Sequence, residues 1–145
     1  MEKNAVLLAS HGQFAQYALE SAQMIMGPQE NCDFLTISVD DTLDYSKKQI
    51  KDKVRKLNTE KGLLIIVDVF GGTPSNISSE VLLQSENVLV VTGLNLPLLL
   101  NTFLNQNKAL EEIEEILAAS YHEGYINIKE MMKQKEDEYD VSEGL

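Results

Sequence analysis

A chain of 145 residues, 43% hydrophobic and 24% charged, has the length of one domain built around a single core. Its net charge of −11 speaks against binding nucleic acid or an anionic membrane surface and suits a partner with a basic face. No apolar run reaches the roughly 18–20 residues that span a bilayer, so no membrane insertion is expected. The opening stretch MEKNAVLLAS lacks a secretory pattern with a cleavage site, and Cys32, the single cysteine, allows no intrachain disulfide. A cytoplasmic location is expected on both grounds.

In chain order, Ala5–Ser10 (AVLLAS) reads as a short strand. Phe14–Met26 follows as a helix, with Phe14, Ala15, Ala18, Leu19, Ala22, Ile25 and Met26 on one face, and Gly27-Pro28 stops it. Phe34–Val39 is β-rich. Asp40–Thr42 supplies N-cap residues for a helix to about Asn58, with Leu43, Ile50, Val54 and Leu57 apolar. Gly62 opens LLIIVDVF, the most apolar run, expected to be a central strand buried on both faces. A helix starting near Pro74 carries Ile77, Val81 and Leu82. Val88–Thr92 is a fourth strand, and Pro97 opens the helix PLLLNTFL. Another helix runs from about Leu110 to Tyr121. After Gly124 the alternation in YINIKE (Tyr125–Glu130) predicts a short strand. The charged tail beyond it is expected to fray.

Four strands separated by helices predict an α/β fold: a doubly wound, mostly parallel sheet of order 2-1-3-4 with helices on both faces. In such sheets ligands sit beyond the carboxyl ends of the strands. Ser10, His11 and Gly12 follow the first strand, Asp40 and Asp41 the second. Asp68 ends the third, followed by Phe70-Gly71-Gly72-Thr73-Pro74-Ser75-Asn76. The first and third strands are neighbours at the switch point, which brings His11 and Asp68 together. A carboxylate that accepts the proton of one imidazole nitrogen leaves the other as a free lone pair. The backbone N–H groups of Gly71, Gly72 and the turn after them, the hydroxyls of Thr73 and Ser75, and Gly12 before the first helix form a candidate phosphate cradle. Together these groups point to phosphoryl transfer onto His11. Without a P-loop or kinase motif, the donor is not expected to be a nucleotide. No metal and no organic cofactor are expected.

Singly, each feature has a plain structural explanation. A histidine after a strand usually caps or hydrogen-bonds, Asp40 and Asp41 read as helix caps, Ser10 more often points into the fold, and His122 suits a helix C-terminus. The joint placement of His11, Asp68 and the glycine turn is what points to chemistry.

The three stretches SHGQFAQYALESAQMIMG, LLIIVDVFGGTPSN and VTGLNLPLLLNTF, in this order and spacing, resemble the mannose-type enzyme IIA components of the bacterial phosphoenolpyruvate-dependent sugar phosphotransferase system. The likeness spans about Ala5 to Lys129. It implies that the phosphorylated histidine is His11, its carboxylate partner Asp68 and the hydroxyl of the turn Thr73, with Gly93–Pro97 as rim and scaffold. It also implies phosphoryl transfer from the phosphocarrier HPr to a IIB component, and a homodimer in which the last strand, here YINIKE, crosses to the partner's sheet and runs antiparallel. Residues 1–130 would then be the IIA domain and 131–145 the charged tail. Family members often continue through an Ala/Pro-rich linker into IIB. The acidic tail here implies a free-standing IIA. Phe70 stands where tryptophan is frequent, and Leu98 where methionine is frequent.

Rival readings remain at this point. A phosphotransfer subunit feeding a dihydroxyacetone-type kinase shares the fold and a histidine after the first strand, although GGTP and GLNLP favour the mannose type. A receiver domain would need an acidic pair where Ser10-His11 stands. A flavodoxin-like module would need stacking aromatics in its loops. A non-catalytic regulatory module could dispense with the His–Asp pair.

Overall fold

The apolar run after Gly62 forms the strand Leu63–Val67, every residue of which is buried. The computed structural model describes residues 2–143. Within them the order is β1 (Ala5–His11), α1 (Phe14–Met26), β2 (Cys32–Ile37), α2 (Leu43–Lys56), β3 (Leu63–Val67), α3 (Gly72–Gln84), β4 (Val88–Val91), α4 (Leu96–Leu104), α5 (Leu110–Glu123) and α6 (Ile128–Glu143). The strands pair in parallel in the order β2-β1-β3-β4, as the alternation of elements predicts. Parallel neighbours need a crossover, so helices cover both faces and the central strands read as continuous apolar runs.

The period of two along each strand sorts the core. On one face Val6, Leu8, Leu64 and Ile66 pack against Ala15, Leu19 and Ala22 of α1, Leu99 and Phe103 of α4, and Ile113 and Leu117 of α5. On the other face Leu7, Ala9, Ile65 and Val67 pack against Ile50 of α2 and against Ile77 and Val81 of α3. Each such aliphatic side chain, taken fully from water, stabilises the fold by about 1.5–3 kcal/mol. The apolar faces read from the sequence hold at their centres and fail at their ends: Phe14, Ile25, Leu43 and Leu82 are exposed. Thr42 caps α2, its hydroxyl accepting the Tyr45 N–H at 3.1 Å.

The C-terminal strand is a correction. Residues 125–127 have no regular structure, and α6 begins at Ile128. Among the described residues no antiparallel strand joins the sheet. Two causes act together. Within one chain, Tyr125–Glu130 gains no ladder of backbone partners. Its sequence runs on into KEMMKQKEDE, rich in good helix formers, and Asn127 caps the start by accepting the Glu130 N–H at 3.2 Å. The charged tail from Met131 continues α6 to Glu143, and Gly144 and Leu145 lie outside the described residues. Among the described residues no helix is long and apolar enough to cross a membrane.

The end of the sheet opposite His11 is sewn by buried amides. Asn4 donates to the carbonyls of Gln106 (2.8 Å) and Lys108 (2.7 Å), and the Gln106 amide donates to the carbonyls of Asn4 and Glu30, both at 2.9 Å. Asn4→Ala removes two of these bonds; the Gln106 carbonyl keeps the Asn4 backbone N–H at 2.9 Å, whereas the Lys108 carbonyl loses its side-chain donor, so we expect a loss of about 1–3 kcal/mol in urea unfolding. A midpoint equal to that of the unaltered chain would show that the amide contributes nothing.

Candidate active site

β1 and β3 end side by side, and their last residues build the site. Asp68 continues the ladder beyond β3, its N–H donating to the carbonyl of Ala9 at 3.3 Å. From there its Oδ2 accepts the backbone N–H of His11 at 2.8 Å and lies 2.8 Å from the ring Nδ1 of the same residue. Its Oδ1 accepts the Val69 N–H at 2.9 Å. Burial pushes the Asp68 carboxyl up. The hydrogen bonds from His11 and Val69 outweigh it, so its pKa lies below the ordinary aspartate value. An ionised carboxylate facing Nδ1 places the ring proton there and leaves Nε2 as the free lone pair.

Nε2 faces the start of α3. A Cβ on Gly72 would lie 2.9 Å from Nε2 and 3.1 Å from Cε1, and the backbone there is left-handed at φ +80°. Only glycine satisfies both demands. Gly71 is the N-cap of α3, with no side-chain cap on the helix. The first-turn N–H groups and the positive end of the helix are therefore left for an anion.

An open cavity of about 560 Å³ adjoins the ring. His11, Gly12, Gln13 and Thr73 line one part, and the β2–α2 connection, including Ser38 and Asp41, lines another. The geometry thus unites His11, Asp68, Gly12, Gly72 and Thr73. Ser75 is buried in α3, where its carbonyl accepts the Ser79 hydroxyl at 2.8 Å, and it does not line this cavity. Asp41 turns inward to accept the Ser38 N–H at 2.8 Å, which makes it a loop brace. Gln13 is the residue that sequence reasoning passed over; its only signal was its place two residues after the histidine. Gly93–Pro97 serves as scaffold. The Gly93 N–H donates to the carbonyl of Asp68 at 3.3 Å, the Leu94 N–H to that of Val67 at 3.1 Å, and Asn95 caps α4 by accepting the Leu98 N–H at 2.9 Å. His122 lies elsewhere, at the end of α5, its ring edge-on to Tyr121. The segments 10–20, 36–45, 68–76 and 92–97, which carry the carboxyl end of the sheet, contain no lysine or arginine.

The family described as PTS system fructose IIA component, EIIA-man, matches residues 5–120. The chain belongs to that family. That family is the one of EIIA components of the sugar phosphotransferase system. The PTS system mannose-specific EIIAB component of Escherichia coli strain K12 is 28% identical over 125 residues, 86% of this chain, which spans 38% of that relative's length. The PTS system sorbose-specific EIIA component of Lacticaseibacillus casei is 31% identical over 102 residues, covering 70% of this chain and 73% of that one. Among solved structures, the PTS IIA protein associated with the fucose utilization operon from Streptococcus pneumoniae has a TM-score of 0.79 and 27% identity, covering 90% of this chain and 96% of that one.

The lowered pKa of Asp68 has a definite sign in titration. A carboxyl depressed in the folded state contributes stability above its unfolded pKa and loses it as pH falls through the folded one. We expect the Asp68 carboxyl carbon, followed by NMR, to titrate below free aspartate, its pairing with His11 being lost only as pH falls through that lower midpoint. A midpoint at or above that of free aspartate would overturn this account of the pair.

Proposed function

We propose that this protein is a cytoplasmic phosphoryl carrier that accepts phosphate from phospho-HPr on Nε2 of His11 and passes it to a IIB component for coupled sugar uptake and phosphorylation. The observation that carries the reading is the single Asp68 oxygen holding both the backbone and the ring of His11, with Nε2 turned toward the start of α3. Membership of the family supports it.

The Nε2 lone pair attacks phosphorus in line as the donor's N–P bond breaks and its electron pair returns to the donor nitrogen. As Nε2 bonds phosphorus the ring becomes cationic, and the Asp68 carboxylate beside Nδ1–H balances that charge. Gly71 and Gly72 present the N–H groups of α3 to the equatorial oxygens, with the Thr73 hydroxyl beside them. Transfer to IIB runs the same steps in reverse. An acceptor that must release its cargo gains nothing from tight binding. A helix end and a hydroxyl, without a lysine or arginine from this chain, suit that need. We also propose a homodimer. The outer edge of β4 is unpaired among the described residues, and Tyr125, Ile126 and Ile128 stay exposed in the single chain. Sedimentation equilibrium that gave a single-chain mass at micromolar concentration would remove the dimer.

Intact-mass analysis after incubation with phosphoenolpyruvate, enzyme I and HPr tests the relay. The expected result is one acid-labile, base-stable phosphoryl adduct, absent in His11→Ala and formed roughly 10–10²-fold more slowly in Asp68→Asn, where the ring loses its charged anchor. No adduct with a competent donor, or one that survives in His11→Ala, would sink the proposal.

A further inference from the structure

We infer that Ser10 is a positioning residue for transfer at His11, acting through the turn between β1 and α1. This rests on the reading of His11 as the phosphoryl acceptor. Side chains alternate along β1: Val6 and Leu8 face α1, whereas Leu7 and Ala9 face α2 and α3. By the same alternation Ser10 falls on the α1 side and His11 on the α3 side, where its ring meets Gly72. The residue beside the acceptor is thereby aimed at the helix that follows it.

The side chain uses that placement fully. Ser10 is entirely buried. Its Oγ accepts the Ala15 N–H at 2.7 Å, and its own proton goes to the carbonyl of Gly12 at 3.2 Å. One hydroxyl thus ties the turn that follows His11 to the first turn of α1. The peptides on either side of His11 are then held independently. Its own N–H is fixed on Asp68 Oδ2, the following peptide is fixed by the Gly12 N–H donating to the carbonyl of Ile37 at 2.7 Å, and the peptide after that by Ser10 on the Gly12 carbonyl.

This hold has a chemical consequence. Gly12 and His11 line the same cavity. A carbonyl oxygen released there would present negative charge to the phosphoryl oxygens, and the backbone that carries the ring would lose one of its anchors. Engaging that carbonyl with Ser10 averts both. A serine that merely capped α1 would stabilise the helix and leave the transfer step alone.

Single-turnover transfer from phospho-HPr, compared among the unaltered chain, Ser10→Ala and Ser10→Thr, separates the two. Ser10→Ala should slow the transfer step by roughly tenfold or more, since a small misalignment costs that much, while the half-saturating phospho-HPr concentration stays within about twofold. Ser10→Thr, which keeps the hydroxyl, should recover most of the rate. The ¹⁵N shifts of the His11 ring in the unphosphorylated proteins should move in Ser10→Ala and return in Ser10→Thr. A folded Ser10→Ala with the original rate and ring shifts, and only a lower melting temperature, would overturn the inference. If the γ-methyl of threonine prevents folding, the rate and ring shifts of Ser10→Ala decide. Failure of the unaltered chain to accept phosphate would instead overturn the relay itself, an outcome the mutants cannot mimic.

Discussion

A single carboxylate oxygen of Asp68 holds His11 twice, by backbone and by ring, and the rest of the site follows from that pair of bonds. The ring cannot turn without breaking one of them, so Nε2 has a fixed direction. The bonds in turn depend on the parallel pairing of β1 with β3, which carries Leu7, Leu8 and Ala9 opposite Ile65, Ile66 and Val67 and delivers the next residues of both strands to one end. A one-residue slip in that register would send the strand's buried set to the wrong face. The apolar core therefore sets the distance between the acid and the imidazole, and the chemistry inherits its precision from packing.

The same logic explains why the loops at this end are held from outside. The Gly93 and Leu94 N–H groups reach back to the carbonyls of Asp68 and Val67, and Gly12 reaches across to Ile37. Each loop bearing a site residue is tied to a neighbouring strand, so an exposed histidine stands on a supported base. The helix that opens at Gly72 completes the site because this first residue lacks a side chain that would fill the space in front of Nε2.

What was legible in the sequence was what local patterns encode. The LLIIV run could only be a central parallel strand. The strand-then-helix alternation implied a parallel sheet, and the common doubly wound order set its first and third strands side by side, and with them His11 and Asp68. Less legible were positions that depend on where an element ends in space. Phe14 and Leu43 each open a helix, so their faces point to solvent despite the right periodicity. Ser75, one turn into α3, is carried to the buried side, which no spacing rule reveals. The stretch after Gly124 misled because six alternating residues read as a strand, whereas within one chain the helix-forming residues beyond it and the cap at Asn127 prevail. Alternation predicts a strand only where a neighbouring edge is in reach.

The electrostatic design is notable for what this chain leaves to geometry. A helix N-terminus offers about half an elementary charge, against a full charge for a lysine or arginine. On the proposed reading, a phosphoryl group held by the start of α3 would sit in a shallow well, so that neither direction of transfer would face a deep one. Asp68 works toward the same balance from the other side. On that reading its negative charge would stabilise the cationic ring formed as Nε2 bonds phosphorus, while it lies on the far side of the imidazole from the phosphoryl oxygens it would repel. Placing the carboxylate at Nδ1 and the helix end at Nε2 separates the two tasks across the width of one ring.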